Sequence, residues 1–481
     1  MRGKDRQKYD GFSPIPPHPD LRKRLKEDFE RARLAGGETV ARLLRIREAA
    51  RPGLNDGLIY PGNTFPLGTP AGVIRSAARK RASLRGTVRV AVVLAEFSDC
   101  RFGQGRDEAH FDKLFFSRGA LPNGSVREYF AEVSGRKIDI AGAVAGPFLL
   151  PKTLAEYANG ESGTGGAEPN ARTMALDAAK AAIAEVKFRP YDNDKDGYVD
   201  AFIVIHAGRG AEETGAGGDI WSHKWILPGD GLDADGVRLY AYLTVPEDAR
   251  IGVCCHELGH LLFGFPDLYD TDYSSEGAGD WCLMAGGSWL GNGEIPAHAS
   301  AWCKASQGWV EVVVPKAPKA GAAVRFKDVK DGRAVHRLWK AGTRGSEYYL
   351  VENRQKKGFD GQLPGDGLLI WHIDESVDDN SNEVHYKVAL EQADGKRHLD
   401  KGDNRGDAGD PFPGASDNRS FTASSNPGSK SYTKMDTCVQ LTKIGDSGPL
   451  MSAEVSVQCA DAGKKRKQPA KKKAKGKKRG K

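Results

Sequence analysis

Two hydrophobic textures divide the chain. Between positions 88 and 206, apolar residues come in short unbroken runs separated by helical patterns. Val88 to Phe97 (VRVAVVLAEF) and Ala201 to His206 (AFIVIH) are such runs, which is how a strand buried on both faces reads. Ser125 to Val133 predicts a short helix opened by a capping box, with Ser125 as the cap and Glu128 three positions on. Lys137 to Ile140, continuing at Val144, predicts a strand or hairpin. Ala171 to Val186 predicts an Ala-rich helix, and Pro296 to Ser306 a helix ending before Gly308-Trp309. From about Val312 the pattern changes to short strands alternating with turns, as in Glu347–Glu352, Gly367–Ile373, Lys387–Glu391 and Ala453–Val457. The expectation is an α/β domain over 86–312 followed by an antiparallel β-sandwich over 313–460.

Residues 1–85 have a different character. After a Pro-rich start, Leu21, Leu25 and Phe29 recur every four residues and predict an amphipathic helix over 20–34. A second helix is expected over 38–50, then a Gly/Pro-rich loop over 53–72 and a basic linker over 75–81. The segment reads either as a covering or inhibitory arm or as a plain extension.

Composition changes this picture in three places. The 481 residues suffice for two or three domains, and no run of 18 apolar residues exists, so no membrane span is expected. The start also lacks the apolar stretch of a secretory signal. The net charge of +7 includes 12 Lys and Arg from Lys464 to Lys481 with no acid among them, which leaves −5 for residues 1–463. The tail over 461–481 is expected to be a disordered polycation, either simply solvated or able to bind an anionic polymer or nucleic acid. Of the seven cysteines, Cys438 and Cys459 flank the last predicted strands and are candidates for a bridge. Cys254, Cys255, Cys282 and Cys303 lack CxxC spacing and read as buried structural residues rather than as a zinc site.

The chemistry concentrates in Ile251 to Asp270, which contains His256-Glu257-Leu258-Gly259-His260. On a helix, residues four apart share a face, so both imidazoles can point at one metal ion. Zinc lowers the pKa of a bound water to about 7, and Glu257, beside the first histidine, can take its proton. Gly264 and Pro266 end the helix in a sharp turn that brings Asp267 or Asp270 back as a third ligand, with Glu276 a further candidate after a longer loop. Met284, between glycine-rich segments, resembles the methionine turn of metzincins.

The run from His256 to Asp270, with GDWCLM over 279–284 and GSW over 287–289, resembles the immune inhibitor A-type secreted zinc metallopeptidases. SVREYFAEVSGRK (125–137), LVENRQ (350–355), GLLIWHID (367–374) and GDPFPG (409–414) carry the resemblance over about 88–459. One extra residue separates His260 from Gly264 relative to the HExxHxxGxxD spacing. The resemblance implies a metzincin-like catalytic domain with zinc on His256, His260 and Asp267, the last by its place in PDLYD. It also implies Glu257 as general base, protein or peptide substrates, and export from the cell. Two other readings stand beside a metalloendopeptidase: a catalytically silent binding or adhesion module that keeps the fold, and a zinc hydrolase of non-protein amides. The intact His256, Glu257 and His260 favour catalysis.

A second acidic run, Asp192-Asn-Asp194-Lys-Asp196-Gly197-Tyr-Val-Asp200, has the spacing of an EF-hand start, with oxygen ligands at positions 1, 3, 5 and 9 and glycine at 6. Ile203 replaces the closing glutamate. The expectation is a structural calcium held by Asp192, Asp194, Asp196 and Asp200, or else a solvated acidic turn. Asp403, Asp407 and Asp410 form a weaker set of the same kind. His206, His223, His298, His372 and His385 are assigned no ligand role.

Overall fold

The computed structural model describes residues 13–35, 83–315, 321–377 and 379–459. The expected elements over 38–50, 53–72 and 75–81, and the basic tail over 461–481, lie outside the described residues. The helix expected over 20–34 is present as Pro19–Ala35.

Its framework is a six-stranded sheet. The strands are β1 (Ser13–Pro14), β2 (Gly86–Glu96), β3 (Ile138–Leu149), β4 (Phe202–His206), β5 (His223–Ile226) and β8 (Ala241–Pro246), in the order β1-β5-β8-β4-β2-β3. Strands β6 (Leu232–Ala234) and β7 (Val237–Leu239) form a separate ribbon. The β3, β2, β4 and β8 strands run parallel, β5 is antiparallel to β8, and β1 lies antiparallel along the outer side of β5.

The unbroken apolar runs follow from burial on both faces. Val90, Val92 and Leu94 of β2, with Ile203 and Ile205 of β4, face the helices Val126–Val133 and Ile251–Phe263. Ala91, Val93, Phe202 and Val204 face the helix Ala171–Ala182, which packs through Met174, Ala175 and Ala178. Ser125 and Glu128 make the capping box expected of them.

Two helices are shorter than their patterns. The Ala-rich helix stops at Ala182, where the chain tightens so that Phe188 can enter the core. The last one spans only Ala301–Ser306, capped by Ser300. Residues 296–300 are extended because their backbone groups bond elsewhere: the Ala297 N–H to the Gly287 carbonyl, and the His298 N–H to Asp360.

The C-terminal strands make two sheets. One has five strands in the order β14-β13-β12-β11-β9, from β9 (Glu311–Val313), β11 (Ala334–Leu338), β12 (Glu347–Arg354), β13 (Gly367–Asp374) and β14 (Val388–Leu390). The other has three, β10 (Ala322–Lys327), β15 (Gln440–Thr442) and β16 (Leu450–Ser456). Every pair is antiparallel, as the alternation predicted, except β9 with β11. That pair is parallel, with β9 at the edge of the sheet and Glu311–Val313 beside Ala334–His336.

Side chains alternate along β12 and β13. Tyr349, Val351, Leu368 and Ile370 share a core with Phe326, Met451 and Val455 of the small sheet. Leu350, Leu369 and Trp371 join the core beneath the Ile251–Phe263 helix. A disulfide joins Cys438 and Cys459 across a Cα separation of 4.5 Å, while Cys254, Cys255, Cys282 and Cys303 are buried thiols. No helix among the described residues is long and apolar enough to cross a membrane.

Candidate functional site

The helix Ile251–Phe263 is buried almost throughout, and His256, Glu257 and His260 have no exposed surface. It ends at Gly264, whose φ of 65° is left-handed and whose N–H returns to the Gly259 and His260 carbonyls. A residue with a side chain is strained there. The extra residue before Gly264 is taken up as one more helical position: Phe263 ends the helix with its ring 4.9 Å from that of Trp309.

Beyond the turn the chain doubles back and brings Asp267 to the two histidines. His256 Nε2 and His260 Nε2 are 3.0 Å apart, and each is 3.2 Å from Asp267 Oδ1. The far nitrogens are fixed by backbone: His256 Nδ1 lies 2.9 Å from the Leu283 carbonyl and His260 Nδ1 2.6 Å from that of Phe265. A carbonyl only accepts, so each Nδ1 carries the proton and each Nε2 presents a lone pair. Two lone pairs and a carboxylate oxygen therefore converge on one buried point with no proton between them. That arrangement is repulsive unless a cation occupies the point, and the donor set fits a catalytic zinc.

Burial pushes His260 down, which keeps it neutral. Glu257 is driven well up by burial, then by the nearby Asp267 and Glu212 carboxylates, with Lys224 opposing.

The other candidates for third ligand stand elsewhere. Asp270 Oδ2 accepts from the Ser274 hydroxyl and from both the N–H and hydroxyl of Ser275, and Asp270 Oδ1 from the Asp272 N–H. Glu276 pairs with Arg22 of the N-terminal helix at 2.8 Å. Asp192, Asp194 and Asp196 come together, each offering an oxygen within 4.8 Å of the others. Asp200 departs from that group: its Oδ2 accepts from the Asn193 N–H at 2.6 Å and from the Asn193 side-chain amide at 3.0 Å. His206 and His223 are buried and pushed down to about 4 by desolvation, as suits structural imidazoles.

Two charged neighbours of Glu257, Glu212 and Lys224, come from distant parts of the chain. Glu212 sits on a four-residue helix over Ala211–Thr214, and burial pushes it to about 7 against the bonds from Ser222. Lys224 is fully buried on β5, between His223 and Trp225.

The N-terminal stretch is a further neighbour. Three successive carbonyls, of Pro14, Ile15 and Pro16, accept hydrogen bonds from Tyr269 Oη, Trp221 Nε1 and Trp289 Nε1 at 2.8–2.9 Å. Ile15 is buried in the core that holds the two histidines' helix.

Residues 94–310 match the family described as immune inhibitor A peptidase M6, catalytic domain. The chain is 30% identical over 286 residues to a protein named Immune inhibitor A from Bacillus thuringiensis subsp. alesti, covering 48% of this chain and 41% of that protein. It is also 30% identical over 270 residues to the pre-pro-metalloprotease PrtV of Vibrio cholerae serotype O1, covering 45% of this chain and 29% of that one. The match thus spans less than half the length of either relative. Over residues 94–310 this chain is thus similar to the immune inhibitor A peptidase M6 catalytic domain.

Proposed function

We propose that the protein is a zinc-dependent metalloendopeptidase that hydrolyses internal peptide bonds of proteins, with Glu257 as its general base. The observation that carries this reading is the convergence of His256 Nε2, His260 Nε2 and Asp267 Oδ1, three proton-free donors 3.0–3.2 Å apart. Zinc held by these atoms would acidify water and polarise the scissile carbonyl. Glu257 accepts the water's proton on a carboxylate oxygen and delivers it to the departing amine nitrogen. Its buried surroundings raise its proton affinity, which suits a group that must carry the proton between the two steps. The position of Met284 under the helix supports the metzincin reading.

The outer edge of β5, which β1 lines in this structure, is where an extended substrate would add as a further strand, with main-chain pairing for affinity. Ser13 and Pro14 pair with that edge, which supports residues 1–85 as an arm covering the cleft. The core shared by the two C-terminal sheets supports a β-sandwich over 313–460 that braces the catalytic domain over 86–312. We further assign a structural calcium to Asp192, Asp194 and Asp196, export from the cell, and binding of an anionic polymer to the tail.

The test is digestion of an unfolded protein such as casein by wild type and Glu257→Ala, with zinc measured in both. Wild type should be active and blocked by a zinc chelator. The variant should hold near-stoichiometric zinc and lose at least ~10²-fold in rate. Zinc binding without proteolysis in wild type would favour the silent binding module or an amidase of other substrates.

A further inference from the structure

A separate cluster lies in the loops after β14, far along the chain from the HExxH helix. Asp394, His398 and Asp407 each present one donor atom, all within 4.8 Å of one another. His398 Nδ1 is 3.1 Å from Asp407 Oδ2, and the Asn404 amide is 2.7 Å from the same oxygen. The carboxylates close over Gly409: a Cβ there would lie 2.8 Å from Asp394 Oδ2 and 2.9 Å from Asp407 Oδ1.

Behind them stands Asp410, only 1% exposed. Its Oδ2 accepts from the Asp407 N–H at 2.9 Å and from Trp281 Nε1 at 3.0 Å, while its Oδ1 has no hydrogen-bond partner among the described residues. Burial, and then the charges of Asp407 and Asp394, push Asp410 up to about 6. One ammonium reaches the cluster, from the largely exposed Lys396, 3.0 Å from Asp394 Oδ2. A buried carboxylate oxygen with no partner beside two further carboxylates is costly unless positive charge is supplied.

We propose that Asp394, His398 and Asp407, backed by Asp410, form a second divalent-cation site. Oxygens joined by one imidazole nitrogen suit manganese better than calcium, whose ligands are oxygens. Asp403, the neighbour singled out in the sequence, is exposed and stands outside the group.

The site has a route to the catalytic centre. Trp281, bonded to Asp410, begins the segment that reaches Leu283, whose carbonyl holds His256 Nδ1. Arg405, between the cluster residues, bonds Asp280 through Nε at 2.9 Å and the Gly286 carbonyl at 3.0 Å. A cation here stiffens the loop beneath the two histidines. This consequence rests on the metallopeptidase reading; the site itself does not.

The experiment counts ions. Chelated full-length wild type, Asp407→Asn and Lys396→Ala are equilibrated with Mn²⁺ or Ca²⁺ alone, freed of unbound ion, and analysed for metal per chain beside their thermal midpoints. Wild type should hold one more Mn²⁺ than Asp407→Asn and melt higher with it. Lys396→Ala, which removes a competing surface cation, should bind that ion up to about fivefold more tightly. Loss of one Ca²⁺ instead would keep the site and name its ion. Equal counts in wild type and Asp407→Asn with both ions would overturn the proposal. Should Asp407→Asn fail to fold, unchanged Mn²⁺ affinity in Lys396→Ala would overturn it. Activity enters none of these readings, so they stand apart from the test of Glu257.

Discussion

Met284 lies directly against Gly259: a Cβ on that glycine would sit 2.7 Å from the Met284 sulfur and 3.4 Å from the Phe265 ring. Gly259 stands between Glu257 and His260 on the helix, and Met284 follows the Leu283 carbonyl that holds His256. The contact therefore joins the helix to the turn that orients its first histidine. Gly259→Ala overpacks a fully buried contact and should cost about 1–3 kcal/mol. Combined with Met284→Ala, which opens space at the same place, the loss should be less than additive. Denaturant unfolding of the two single variants and the double variant tests this; strict additivity would show that the two residues do not press on each other.

For the metal ligands, Asp267→Ala should lose most zinc affinity, because two imidazoles remain where a catalytic site needs three protein ligands. Asp270→Ala and Glu276→Ala should keep their zinc, since one carboxylate is spent on serines and the other on Arg22. Metal analysis of the three variants decides it. Full zinc in Asp267→Ala, with loss in either of the others, would move the ligand there.

The N-terminal arm predicts restrained activity. Ile15 is fully buried, and the carbonyls of residues 14–16 are each held by a ring donor. Ile15→Asp in the full chain, or removal of residues 1–85, should raise the rate on a peptide substrate by ~10-fold or more, because a tethered strand competes at high effective concentration. Equal or lower rates in a folded truncated chain would make the segment a structural extension instead.

Acid should loosen the contact between the Val126–Val133 helix and the C-terminal region. Burial raises Glu132, but His298 at 3.0 Å, Lys330 at 2.8 Å and the Phe359 N–H at 3.0 Å outweigh it and bring it from 4.5 to about 2. A depressed carboxyl contributes stability above its unfolded pKa and loses it as pH falls through the folded one. The window is therefore about pH 4.5 down to 2, and the contribution is on the order of 3 kcal/mol. Glu132→Gln should be less stable at pH 7 and should lose less on acidification. Parallel stability–pH curves for variant and wild type would rule this out.

Much of this protein is determined locally, and that part was legible. Val88–Phe97 and Ala201–His206 announce strands buried on both faces, because their unbroken apolar stretches, 90–95 and 201–205, are what burial on both faces needs. The spacing of His256, Glu257 and His260 fixes two imidazoles on one helical face, and Gly264 ends that helix through a backbone conformation only glycine adopts freely. Ser125 and Glu128 cap their own helix without help from elsewhere. Tertiary structure decided what depends on surfaces far apart in the chain. It spent the backbone groups of residues 296–300 on distant partners and so shortened a helix, and it let β9 enter its sheet parallel. It turned Asp200 toward Asn193 although its spacing suits a calcium loop. It also set Glu212 and Lys224 near Glu257 and laid Ser13 and Pro14 along β5, contacts that no local pattern encodes. Periodicity records which way a side chain faces on its own element. Which element meets that face is set by packing the whole chain into one core, so it cannot be read one segment at a time.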